Sequence, residues 1–118
     1  MSLRARDREA LETRLGYVFN DPGLLLRALT HSSAVSPSKR TAESYQRFEF
    51  LGDRVLGLVV ADMLCKRLPK ANEGELSRTL NSLVRKETCA RVARKLGMGS
   101  FVRLGESEAR TGGADKDA

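Results

Sequence analysis

Apolar residues in this chain recur three and four positions apart, and no stretch keeps the strict alternation of a half-buried strand. Leu11 and Leu15 predict a short helix over residues 8–15. Asp21 is placed to cap a second helix that starts at Pro22, with Leu25, Ala28 and Leu29 as its apolar stripe. Residues 33–44, SAVSPSKRTAES, are polar and carry a proline, so they read as a loop. Ser44 is a candidate cap for the longest helix, 45–68, which Pro69 closes. Asn72 and Glu75 have capping-box spacing ahead of Leu76, Leu80 and Leu83. A fifth helix, 86–96, buries Cys89, Val92, Ala93 and Leu96 and ends at Gly97. The stretch SFVRL is extended or briefly helical, and from Gly105 the chain is polar and glycine-rich. The fold class is all-α.

The helix over 45–68 differs from the others. At ~100° per residue, Leu51, Val55, Leu56, Val59, Val60, Met63 and Leu64 cover well over half its circumference. A helix apolar on most sides is expected at the centre of a fold. Within it, Glu49 and Asp53 stand at i and i+4, ~40° apart on one face that Leu56 and Val60 continue. Like charges at this spacing repel, and burial would add a desolvation cost. A hard divalent cation relieves both, because Mg²⁺ takes oxygen ligands and is held by one or two carboxylates plus water. Two other arrangements stay open. Glu49 can pair with Arg54 or a distant lysine, and Asp53 can cap another element after a bend at Gly52. Gly52 and Gly57 each cost about 1 kcal/mol against alanine in a helix, which points to close approach of a backbone or ligand. Helix packing alone would account for Gly57.

With 118 residues the chain fits one domain. Aromatics are only 5% of residues, so the core is built from Leu, Val and Ala. The excess of 21 basic over 15 acidic residues gives +6, with a pI near 9.8. That favours a polyanionic partner such as nucleic acid, although a soluble protein can simply be basic. Cys65 and Cys89 lack CxxC spacing and are expected to be buried, reduced thiols. Residues 1–9 are charged, with no secretory core, and no run approaches the ~18 apolar residues of a membrane span. A cytoplasmic location and no membrane partner are expected.

The stretch FEFLGDRVLGLVVADML resembles the ribonuclease III signature, whose usual form is LEFLGD, then Ser, Ala or Arg, then Val-Leu. LETRLGYVFNDPGLLLRALTHSS is similar to the family's opening helices, and LPKANEGELSRTLNSLVRKETCARVARKLGMGSFVRLGESE to the segment after the signature. The resemblance runs from Leu11 to the C-terminus. It implies a helical endonuclease domain that cuts double-stranded RNA as a homodimer, with Mg²⁺, or Mn²⁺ in its place, and no organic cofactor. It makes Glu49 a metal ligand and Asp53 a catalytic residue at the metal centre. Phe50 matches the aromatic that enters the partner subunit, though it could equally be core. Glu73 matches an acidic residue near the RNA-facing groove, though it could equally be a charge in a first helical turn. His31 in THSS is read as structural.

Three departures qualify the match. Gln46 stands where many relatives have an acid, and Leu80 where many have arginine. The family also needs a later Asp and Glu, which this chain does not reach by Ala118; Asp115 and Asp117 do not match that motif. Residues 1–118 are therefore expected to be a catalytic domain incomplete at its C-terminus, without the double-stranded-RNA-binding domain. The resemblance implies hydrolysis to 5′-phosphate and 3′-hydroxyl ends, roles in rRNA and mRNA processing, and an inactive 118-residue chain. A non-catalytic RNA-binding or scaffolding protein on the same fold is the alternative. A basic helical DNA-binding module is a third reading, which no recognition-helix pattern supports.

Overall fold

The computed structural model describes residues 3–105. Six α-helices follow in order among them: α1 (Ala5–Leu15), α2 (Pro22–Ala28), α3 (Arg40–Glu43), α4 (Gln46–Arg67), α5 (Glu73–Val84) and α6 (Lys86–Lys95). No strand occurs among the described residues, only an isolated parallel bridge between Thr30 and Arg103. The all-α expectation holds. Asp115, Asp117 and the end of the chain lie outside the described residues. No helix among them is long and apolar enough to cross a membrane.

Capping explains where several helices begin. The Asp21 carboxylate accepts from the Gly23 N–H at 2.9 Å, with Pro22 at the first helical position. Asn72 Oδ1 accepts from the Glu75 N–H at 2.9 Å and opens α5. Tyr45 is the cap position of α4 and makes no side-chain cap bond, but Ser44 Oγ accepts from the Gln46 N–H at 3.3 Å. Ser44 thus supports the start of α4 from one residue further out than expected. Residues 33–44 are not a plain loop. They hold two 3-10 turns, Ser32–Ala34 and Pro37–Lys39, and the one-turn helix α3.

The core lies at one end of the molecule. Leu11, Leu25 and Leu29 are buried together, with Leu3, Leu15, Phe19, Met98 and Phe101 packed around them. Two interactions fold the chain onto this cluster. The buried Glu12 carboxylate accepts from the Phe19 N–H at 2.7 Å and brings the turn after α1 back onto the helix. Residues 29–33 then receive two segments, the start of α4 and residues 103–105. Arg103 N–H donates to the Leu29 carbonyl (2.8 Å), Tyr45 N–H to the Thr30 carbonyl (2.9 Å) and Gly105 N–H to Ser33 Oγ (2.8 Å). Thr30 is buried at this junction, which places the start of α4.

From there α4 runs out for 22 residues, about 33 Å at 1.5 Å per residue. α5 lies along it and α6 against α5. The described chain is accordingly elongated, 49 × 27 × 25 Å, with a radius of gyration of 16.2 Å against about 13 Å for a compact domain of this size.

Several expected core positions are open. Leu64 is the one buried residue of α4; Leu51, Val55, Leu58, Val59 and Met63 are exposed. These five share an arc of about 140°. The central, buried rod is therefore corrected: α4 packs on one side and presents its other apolar side to solvent. Ala28, Val92 and Leu83 are also exposed, while Ala90 is the buried residue of α6. Cys65 is exposed and Cys89 half-buried; both are free thiols.

Candidate active site

The first turns of α4 carry Glu49 and Asp53, and both side chains are exposed. They line one open groove of about 900 Å³. Gln46, Phe50 and Leu56 share its α4 wall, and Val84, Lys86 and Cys89 enter from the corner between α5 and α6. The acidic pair is thus brought to one place, but not into an apolar interior. The Asp53 side chain is 68% exposed. Water screens its repulsion with Glu49, so folding needs no compensating ion. What still points to a cation is the donor set: two hard carboxylates on one wall suit a small divalent ion that keeps most of its water. Among the described residues no group of three or more His, Cys, Asp or Glu is arranged to hold a metal.

Arg54 organises the rim. Its guanidinium lies 4.0 Å from the centroid of the Phe50 ring and donates to the Phe50 carbonyl at 3.2 Å. The same Nη1 stands 3.5 Å from Asp53 Oδ2. The alternative in which Arg54 pairs with Glu49 is not adopted: Arg54 reaches its neighbour Asp53 instead. Phe50 is 64% exposed and is not core.

Glu73 opens α5, exposed in its first turn, where a helix end favours negative charge. It does not line the groove. His31 does not line the groove either. Its Nδ1 accepts from the Ser33 N–H at 3.1 Å, and its ring meets Tyr45 edge-on at 5.7 Å. Neither Gly52 nor Gly57 is forced by packing, since a Cβ at either position meets nothing within 4 Å. Gly52 lines the groove, where a side chain would take up room. Lys86 and Cys89 as groove residues had no signal in the spacing, because only the turn between α5 and α6 brings them to α4.

A family model described as Ribonuclease-III-like matches residues 21–118. The chain is 55% identical over 96 residues to Ribonuclease 3 of Bradyrhizobium diazoefficiens, covering 81% of this chain and 38% of that protein. It is 58% identical over 104 residues to Ribonuclease 3 of Methylocella silvestris, covering 88% and 43%. The chain therefore spans less than half the length of these relatives. Among solved structures, the nuclease domain of ribonuclease III from Campylobacter jejuni superposes with a TM-score of 0.84 at 38% identity. That match covers 92% of this chain and 73% of the other, whose description concerns flexibility in a region involved in dimer formation.

Proposed function

The chain belongs to the ribonuclease-III-like family, and from that premise we propose that it supplies the acid-bearing part of an endonuclease domain acting on double-stranded RNA. The observation that carries this reading is the open groove lined by both Glu49 and Asp53. These two carboxylates would hold Mg²⁺, or Mn²⁺ in its place, and the bound ion would supply an activated water and stabilise charge on the leaving oxygen.

The chain's own residues do the rest. Glu49 and Asp53 present ionised oxygens on the solvent side of α4, where a duplex can approach. Arg54 holds Asp53 on one side and Phe50 on the other, so the acid and the aromatic are positioned together. The net charge of +6 draws a polyanion to the surface. Recognition is of A-form shape, phosphates and 2′-hydroxyls more than of sequence. The bond broken is the one between phosphorus and the 3′ oxygen, which leaves 5′-phosphate and 3′-hydroxyl ends.

In this reading residues 1–118 are part of one catalytic domain that works as a homodimer in the cytoplasm, in rRNA and mRNA processing, with Phe50 at the two-fold contact. Two exposed carboxylates bind a hydrated ion weakly, so the 118 residues alone do not turn over. The test is a competition at fixed salt between duplex RNA and duplex DNA of the same sequence, read by anisotropy with the 118-residue chain. Preference for RNA is expected. Equal retention, or preference for DNA, removes the substrate class. Loss of Mn²⁺ binding in Glu49→Gln and Asp53→Asn checks the acidic pair separately; unchanged Mn²⁺ binding removes the metal assignment.

A further inference from the structure

The groove has two signs of charge, and one of its cations has no ion-pair partner among the described residues. Glu49 and Asp53 give the α4 wall two negative charges, which by themselves repel a phosphodiester. Arg54, the cation on that wall, is occupied by Asp53 and by the Phe50 ring and carbonyl. Lys86 lines the same groove from α6 and is exposed. No carboxylate among the described residues lies within ion-pair distance of its ammonium, whereas Arg85 beside it approaches Glu87 at 4.0 Å.

The position of Lys86 is also wrong for its own helix. It is the first residue of α6, at the end whose partial charge is positive and which favours acids. Lysine there gains nothing from the helix and makes no ion pair among the described residues. It does add to the positive potential of the helix end, and the two together face a groove that is otherwise acidic.

We propose that Lys86 is a substrate-positioning residue: its ammonium holds a backbone phosphate of the RNA duplex, and so sets the strand against the wall that carries Glu49 and Asp53. The ligand is a non-bridging phosphodiester oxygen, a point-charge contact blind to base sequence. The inference rests on the reading of the groove as a duplex-RNA site, but it assigns a role to a residue outside the acidic motif.

The test compares Lys86→Gln with Lys95→Gln, which removes the same charge from the same helix away from the groove. Each is titrated with an RNA duplex over a range of salt, and circular dichroism confirms the helix content of both. Lys86→Gln should weaken binding about threefold at 0.1 M salt and lower the slope of log K against log salt by about one. Lys86→Arg should restore both, and Lys95→Gln should change neither. Equal losses in Lys86→Gln and Lys95→Gln would mean that Lys86 contributes only to net charge and would overturn the proposal. So would wild-type affinity and slope in Lys86→Gln. If the wild-type chain shows no preference for duplex RNA, the groove reading falls, and this inference falls with it.

Discussion

The guanidinium of Arg54 lies over the Phe50 ring at 4.0 Å while its Nη1 stands 3.5 Å from the carboxylate of Asp53. One side chain thus ties an exposed aromatic to one of the two groove acids. This cation competes with any ion that Asp53 would bind. Arg54→Ala should therefore raise Mn²⁺ affinity a fewfold, as followed by electron paramagnetic resonance. Stability should change by less than about 1 kcal/mol, since exposed pairs contribute little. Weaker Mn²⁺ binding in the variant would show that Arg54 instead holds Asp53 in a ligating position.

Exposure of the acidic pair sets the size of a stability effect. In a buried helix, neutralising one acid of an uncompensated pair would stabilise strongly. On a solvated face the gain is that of one like-charged i,i+4 pair, about 0.2–0.5 kcal/mol. Glu49 also lies in the first turn of α4, where the helix end favours an acid by about 0.3–1 kcal/mol, so the two effects offset and Glu49→Gln should shift the thermal midpoint by no more than a few degrees in the absence of divalent metal. A rise well beyond that would place the pair in a drier setting than the structure gives it.

The open side of α4 predicts self-association. Leu58 is 72% exposed at one edge of the apolar arc of α4, and Phe50 is 64% exposed on the same helix about 80° beyond that edge; exposed apolar surface of this kind marks an interaction surface. Sedimentation equilibrium should show concentration-dependent association of the chain. Phe50→Ala and Leu58→Asp should each reduce it. A wild-type chain that stays monomeric at high concentration would sink the two-fold contact at Phe50.

Stability should be concentrated at the other end. Leu11→Ala, in the cluster with Leu25 and Leu29, should cost about 2–5 kcal/mol. Leu58→Ala should cost less than about 0.5 kcal/mol, because its side chain leaves no cavity. Urea unfolding at a concentration too low for self-association, followed by circular dichroism, separates the two; similar midpoints would mean that this face of α4 is covered within a single chain.

Two glycines end helices with positive φ, Gly16 at +68° and Gly97 at +67°. Alanine at Gly16 meets nothing within 4 Å and should cost only the left-handed penalty of about 1–2 kcal/mol. A Cβ at Gly97 would overlap the Arg14 guanidinium, which donates to the Leu96 carbonyl at 3.1 Å. Gly97→Ala should therefore lower the melting temperature more than Gly16→Ala. The reverse order would show that the Arg14 contact is easily rearranged.

Local chemistry in the sequence was enough to specify the longer helices, but not α3 inside the polar stretch 33–44. Pro22 after Asp21, Asn72 ahead of Glu75, and Gly97 after a basic last turn place their boundaries through hydrogen bonds and φ preferences a few residues long. Helical spacing likewise put Glu49 and Asp53 on one face, since both belong to the same helix. Burial was not legible in this way. The apolar circumference of α4 predicts a central helix, yet which side is covered depends on α5, whose approach no periodicity encodes. The junction that seats α4 joins residues 29–33 to Tyr45 and Arg103 through backbone groups, which carry no residue-specific signal, and to Gly105 through the Ser33 hydroxyl. The groove itself, and the presence of Lys86 and Cys89 in it, arises where the α5–α6 corner returns to α4. Sequence determined the elements and the acidic pair, because those are interactions between near neighbours. Tertiary structure decided that the pair is solvated and what shares its groove, because solvation depends on which distant segments cover a face.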